Sequence, residues 1–482
     1  MLFLTDHGRW PGERGTLSDP SNSKGKLGLF AAVAVVLGNI VGVMIFLTPA
    51  QVGQLLPWDG WFLAAWAIGG ALALLGALCL GELGAMLPEA GGDYVYIREA
   101  YGDTLSFLSG WTSVVVTFPG SIAAMAVGLC FFQGPALLGP GVQENAMYLD
   151  LGSSYYAISW AQIMGLGVIV LLTTVNHMGL ALTGWFQTAI TITPACLLST
   201  AFLASFFVTP SGPEPKAVVS LAGSPWLGLF PALVPIFFAY AGWNVTTYIG
   251  GEIRDPGRNI PRSLLLGTSL AVALYLALCW VFLKGVPAAA MPGVPFVPSV
   301  ALGRLFGPWS AHLVTLVIAL AVLGSLNATI LAGGRISYAM AGRGVAFTSL
   351  GRLSPRLGTP AVALWVQAFI AMLLVLTGRF EELVNYVVVV MLVFSSIAVL
   401  AVIVLRVRRP DLPRPYRAWG YPVTPALFVL FSMAVVVFLL GREKSRVEAL
   451  GGLIIALLGL PAYALVRWRK RLASQRVNAG PS

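Results

Sequence analysis

Two stretches of this 482-residue chain interrupt apolar runs that would otherwise read as continuous helices. The first apolar run carries Gly38-Asn39-Ile40-Val41-Gly42 at mid-span and Pro49 shortly after. The sixth carries Pro231 and Pro235, then Phe238-Ala239-Tyr240-Ala241-Gly242-Trp243-Asn244. Inside a bilayer an interrupted helix exposes N–H and C=O groups that lipid cannot satisfy, so each break must line a cavity. The restarted helix offers free N–H groups to an anion, and the ending helix offers carbonyls to a cation. A zwitterion requires both kinds of group at once. No carboxylate stands near either break in the sequence. That disfavours a cationic ligand, because a charge without a partner at this depth costs on the order of 2.5–3.5 kcal/mol.

Few other side chains offer chemistry. Glu82, towards the end of the second apolar run, and Glu252, just beyond the sixth, are candidates for coupling to an ion or proton, since a carboxylate at membrane depth is a functional-site hypothesis by default. Both lie close enough to the interface to pair with nearby arginines instead. His177 and His312 stand alone, which is a poor basis for a metal site. Gly-x-Ser-x-Gly, His-Glu-x-x-His and paired intramembrane aspartates are all missing from the sequence, so no catalytic residue, metal or cofactor is expected and the chain does not read as an enzyme.

The elements that must position these residues follow from composition. Hydrophobic residues make up 57% of the chain and charged residues 10%, less than half of the usual share of about 25%. A wetted globular exterior cannot be built from that mixture, so the fold class is an all-α polytopic membrane protein. With about 20 apolar residues needed per span, twelve transmembrane helices are expected: 28–56, 61–87, 104–134, 158–176, 179–208, 225–250, 262–286, 309–340, 359–378, 382–405, 421–440 and 447–466. The segment 135–157 reads as an exposed loop. The amphipathic segment 89–103 reads as lying at the membrane interface. Residues 1–27 are polar, without the apolar core of a signal peptide, and form one tail of a 28–467 transporter-like domain; 468–482 form the other.

The net charge of +10 does not point to nucleic acid, because the basic residues fall in short clusters between apolar runs. Counted over alternate loops, 22 of the 29 Lys and Arg residues lie on one side and 7 on the other. The positive-inside rule makes the richer side, with both termini, cytoplasmic. Helices one and six stand five positions apart, as the first members of two halves would. Breaks at matching positions of two halves point to a transport site at the midplane, with inverted repeats over about 28–208 and 225–405 and helices 11–12 (about 421–466) added after them.

The wording of several segments resembles the amino acid–polyamine–organocation superfamily, closest to its L-type amino acid transporter branch. Gly38-Asn39-Ile40-Val41-Gly42-Val43-Met44-Ile45-Phe46 is similar to the family's first helix. Phe238 to Asn244, followed by Glu252-Ile253-Arg254-Asp255-Pro256 and Arg258-Asn259-Ile260-Pro261, resembles its sixth helix and the loop beyond. Pro88-Glu89-Ala90-Gly91-Gly92-Asp93-Tyr94-Val95-Tyr96 with Gly110-Trp111 resembles the approach to the third helix. Gly324-Ser325-Leu326-Asn327 with Arg335 resembles the eighth, and Arg414-Pro415-Tyr416-Arg417 the loop before the eleventh.

The resemblance implies a secondary-active transporter, permease or exchanger, that moves amino acids across the cell membrane by alternating access. The substrate carboxylate would meet N–H groups near Gly42, Val43 and Met44, and the ammonium the carbonyls of Ile40, Phe238 and Ala241. Phe238 would be the aromatic gate, with Asn244 one turn on. Val43 and Met44 replace the family's small residues and narrow the pocket, which favours small neutral substrates. In the fifth helix Gln187 and Thr191 match the pattern, but the family's frequent lysine falls on Pro194, leaving H+, Na+ or a counter-substrate open as the coupling partner. The absence of Cys from 135–157 argues against a disulfide-linked heavy subunit. A sensor of the same fold that does not transport, and a polyamine or organic-cation transporter, are the alternatives.

Overall fold

The computed structural model describes residues 27–150, 155–218, 223–294, 296–346, 348–377 and 380–478. It is an all-α polytopic membrane protein. Among the described residues, ten helices are long and apolar enough to cross a bilayer, and further apolar helices such as Pro225–Ala239 and Ala361–Leu376 are shorter. Two of the twelve expected spans, 225–250 and 359–378, therefore appear in shortened form. In the first of them the chain itself breaks, which cuts the helix at Ala239. Large apolar side chains such as Phe30, Leu171, Leu203 and Leu430 are exposed. On a soluble protein such surface would be a liability; on this one it faces lipid.

Among the described residues most of the interior is one continuous apolar cluster running through nearly every spanning helix, with two small satellite clusters around Cys130 and Leu350. Helix Trp309–Gly342 lies at its centre, buried along most of its length from Val314 to Ala341. It packs against the first segment and against helices Leu180–Ser205 and Ala361–Thr377. The third segment runs from Asp103 to Leu138 with two five-residue π-helical turns, Ser113–Thr117 and Leu129–Gln133. The first has a local cause, because Pro119 cannot donate to the carbonyl four residues back. Such turns inside a helix are frequent at functional sites.

Two segments differ from the sequence expectation. The stretch 135–157, read as a loop, contains a helical turn and an antiparallel hairpin pairing Asn145–Asp150 with Tyr155–Ser159. The run Tyr155-Tyr156-Ala157-Ile158 is rich in residues that suit a pleated strand, and pairing satisfies backbone groups that a loop would leave open. The amphipathic stretch 89–103 forms helix Asp93–Tyr101 with Asp93 through Ile97 all buried, packed on Phe380–Arg408. Its apolar face is turned into the protein instead of towards the bilayer interface.

Candidate functional site

Both expected breaks are present. Helix Leu29–Ile40 ends, Val41 to Val43 run irregularly, and a helix resumes at Met44–Leu47. Helix Pro225–Ala239 ends, Tyr240 to Asn244 turn, and a helix resumes at Val245–Tyr248. Gly242 makes the second turn possible, since its φ of +96° is strained for any residue with a Cβ.

The two breaks are pinned to each other. Asn39 Nδ2 donates to the Gly242 carbonyl (3.0 Å), and a Cβ on Gly242 would come within 2.3 Å of that nitrogen. The Trp309–Gly342 helix holds Asn39 from behind. Ser325 Oγ donates to the Asn39 carbonyl (2.9 Å), and Thr329 Oγ1 donates to Asn39 Oδ1 (2.9 Å). A second clamp comes from Tyr275, whose hydroxyl lies 2.7 Å from the Ile40 carbonyl and 3.0 Å from the Ala239 carbonyl, one proton shared between the two helix ends. Trp66 and Tyr240 pack on the Tyr275 ring, with centroids 5.8 and 4.9 Å away.

Between the breaks lies a cavity of about 100 Å³. Ile40, Gly42, Val43, Met44, Phe238, Ala241 and Asn244, singled out from the sequence, all line it. They are not equivalent. The Ile40 carbonyl already accepts from Tyr275 and from the Gly42 N–H (2.7 Å). The Phe238 carbonyl accepts from the Ala241 N–H (3.0 Å). At the first break, the opening turn of the resumed helix leaves its first N–H groups without intrahelical partners. Hydroxyls from the π-turn region, Ser109 to Thr117, form one wall. Ser325 and Thr329 form another, and Phe118, Met125, Met391 and Phe394 add apolar surface.

One expectation is overturned. A carboxylate does stand beside a break: Asp93 lines this cavity, 6% exposed. Its Oδ2 accepts from the Tyr248 hydroxyl (3.0 Å) and, at a long 3.5 Å, from Asn244 Nδ2. Its Oδ1 has no hydrogen-bond partner among the described residues. Burial pushes the Asp93 carboxyl up to about 6, an effect that the Tyr248 and Asn244 hydrogen bonds only partly offset. Asp93 is 151 residues from Asn244 along the chain, and only the packing of helix Asp93–Tyr101 brings the two together. The sequence signal was a carboxylate directly after Gly91-Gly92, where φ values of +123° and +51° turn the chain inward.

Glu82 and Glu252 do not line the cavity. Arg406 reaches Glu82 through Nε (2.9 Å) and Nη2 (2.5 Å), and the Ala418 N–H donates to Glu82 Oε2 (2.7 Å). Arg335 forms a similar two-pronged pair with Glu252 (3.2 and 3.4 Å). A buried relay unforeseen from the sequence adjoins the first helix. Asn176 Nδ2 donates to Asn327 Oδ1 (2.8 Å), Asn327 Nδ2 to Gln187 Oε1 (2.8 Å), and Gln187 Nε2 to Thr191 Oγ1 (3.0 Å). Gly38 permits that neighbour, since a Cβ there would lie 2.2 Å from Thr191 Oγ1. Pro194 sits one turn further along helix Leu180–Ser205. Among the described residues no group of His, Cys, Asp and Glu could hold a metal ion.

The sequence profile of the amino acid permease family matches residues 27–458. Curated relatives extend over the same length. The b(0,+)-type amino acid transporter 1 of Mus musculus is 27% identical over 459 residues, covering 94% of this chain and 90% of its own. The serine/threonine exchanger SteT of Bacillus subtilis is 28% identical over 462 residues, covering 94% and 99%. The large neutral amino acids transporter small subunit 2 of Homo sapiens is 28% identical over 458 residues, covering 93% and 82%. With two broken helices pinned face to face around one cavity, and a family profile spanning nearly its whole length, the chain belongs to the amino acid permease family.

Proposed function

We propose that this protein is a secondary-active transporter that exchanges small neutral amino acids across the cell membrane, with both termini in the cytoplasm. The observation that carries this reading is the meeting of both helix breaks at a single cavity, lined by Gly42, Val43 and Met44 from the first break and by Phe238 and Ala241 from the sixth. An α-amino acid presents its carboxylate and ammonium on one carbon, which matches donors and acceptors on opposite sides of a narrow gap. Because Tyr275 occupies the Ile40 carbonyl, the ammonium is assigned to the sixth-helix side. Met44 lies in the wall and leaves little room for a large side chain. The serine/threonine exchanger among the relatives supports both the exchange mode and the size of the substrate. The reading treats 28–208 and 225–405 as inverted repeats that rock about the cavity.

Purified protein in liposomes loaded with unlabelled serine or alanine should take up radiolabelled serine faster than liposomes loaded with buffer. Equal rates in the two would replace exchange by ion-coupled uptake, and binding without flux would make the protein a sensor. Glu82 and Glu252 remain coupling candidates only if uptake is ion-coupled.

A further inference from the structure

Helix Pro256–Gly285, which carries Tyr275 on its buried side, turns another face away from the protein. Arg258, Arg262, Leu266, Leu270, Ala273 and Trp280 are exposed, and their spacing puts all six on one helical stripe. Leu266, Leu270 and Trp280 are 48%, 50% and 44% exposed, and on a polytopic membrane protein that apolar surface faces lipid. The stripe also sets the depth of its arginines. From Arg262 to Trp280 the helix rises about 27 Å, close to the thickness of a hydrocarbon core, about 30 Å. Tryptophan is enriched where membrane meets water, so Trp280 at one boundary puts Arg262 at the other, with Arg258 about 6 Å further out. Neither guanidinium forms an ion pair among the described residues. Asp255, three residues before Arg258, pairs with neither, and Glu252 is held by Arg335. A third arginine without an ion pair among the described residues flanks the same helix end. The loop after helix Phe380–Arg408 packs on the first turn, where a Cβ on Gly257 would lie 3.4 Å from Pro415, and Arg417 follows two residues later, exposed like Trp419.

We propose that the start of helix Pro256–Gly285 binds the headgroup of an anionic phospholipid, with Arg258 and Arg262 on the phosphate and the acyl chains along Leu266 and Leu270. Charge balance selects the headgroup. A zwitterionic lipid carries its own cation beside the phosphate and leaves two guanidiniums on neighbouring turns uncompensated. A net-negative headgroup supplies the missing charge, and the planar guanidinium fork matches the oxygens of a phosphate. A second copy of the chain suits this face less well, because the stripe carries arginines and no carboxylate to meet them. Free phosphate would leave the apolar part of the stripe unused.

The test uses the purified full-length protein in neutral detergent, to which phosphatidylglycerol or phosphatidylcholine with identical acyl chains is added. Apparent affinity is read from the thermal stabilisation that each lipid gives. The wild type should bind phosphatidylglycerol about tenfold or more tighter, a preference within the reach of two arginines at a membrane surface. Raising the salt from about 0.05 to about 0.5 M should shrink that preference. Arg258→Gln combined with Arg262→Gln should bring the two lipids within about threefold of each other. Arg352→Gln combined with Arg356→Gln removes the same charge from exposed positions between helices Trp309–Gly342 and Ala361–Thr377, and should keep the full preference. Should the first double variant fail to fold, Arg262→Gln alone carries the comparison and should lower the preference by about threefold or more. Equal loss in both double variants would reduce the effect to net charge and overturn the site, as would equal binding of the two lipids by the wild type. Inorganic phosphate that stabilises as strongly as phosphatidylglycerol would make this a site for a soluble anion and overturn the lipid assignment.

Discussion

At the scale of single residues, the cavity wall yields two predictions. Phe238 is 8% exposed, lines the cavity and lies where helix Pro225–Ala239 ends, so its ring is already packed at the edge of the space left for a ligand. Phe238→Ala should reduce flux per folded molecule by about tenfold or more, a barrier change of roughly 1.4 kcal/mol, while the yield of folded protein falls far less. Unchanged flux, measured in liposomes against the amount of folded protein, would remove Phe238 from the gate. Met44 opens the resumed first helix and lines the same cavity. Removing its flexible four-atom side chain enlarges the space at the first break. Met44→Gly should extend competition for labelled serine uptake to leucine and phenylalanine. A wild type that already prefers phenylalanine over alanine would show that Met44 does not limit the site.

Among the elements, the joint between the two broken helices decides whether the residues above keep their places. Tyr275, in helix Pro256–Gly285, holds the ends of both helices with one hydroxyl, and its ring is buried against Trp66 and Tyr240. Tyr275→Phe retains the packing and removes only the donor, leaving buried carbonyls at Ile40 and Ala239 short of a partner at a cost of about 1–3 kcal/mol. The variant should melt at a lower temperature than the wild type. Its serine affinity should fall as well, because the Ile40 and Ala239 carbonyls would then compete for the ammonium. A melting temperature and affinity equal to the wild type would mean that water or a neighbouring donor replaces the hydroxyl. The clamp through Asn39 is more severe: at Gly242 a Cβ meets both an unfavourable φ and the Asn39 amide.

For the whole molecule, orientation and integrity both depend on arginine. The side rich in Lys and Arg also carries the ion pairs that tie distant parts together, Arg406 to Glu82 and Arg335 to Glu252, and Arg343 to Glu89. Glu82 is 1% exposed in its pair, and losing one partner of such a pair costs roughly 3–5 kcal/mol, which suits a structural lock. The charge asymmetry predicts the sidedness of the loops. On a background with Cys79, Cys130, Cys196 and Cys279 replaced by Ala, Glu214→Cys should react with a membrane-impermeant thiol reagent on intact cells. Arg356→Cys should react only after permeabilisation. Both positions are exposed, so reversed labelling would invert the topology.

Properties that add up along the chain were legible in the sequence. Apolar run length marked out the long apolar helices, and glycine and proline at mid-span marked both breaks. Each depends on a residue and its near neighbours, because a helix in lipid must satisfy its own backbone. The seven residues named at the breaks therefore all line the cavity. Contacts between distant segments decided the rest. No periodicity shows that Asn39 bonds Gly242, 203 residues away, or that Tyr275 occupies the Ile40 carbonyl and so removes it from the open acceptors. Helix Asp93–Tyr101 read as an interfacial segment because an amphipathic pattern describes a face without saying what covers it. Only its packing against Phe380–Arg408 turned Asp93 into the cavity, and with it the electrostatic character of the site. Charge cost depends on burial and on partners in space, and tertiary structure alone specifies both.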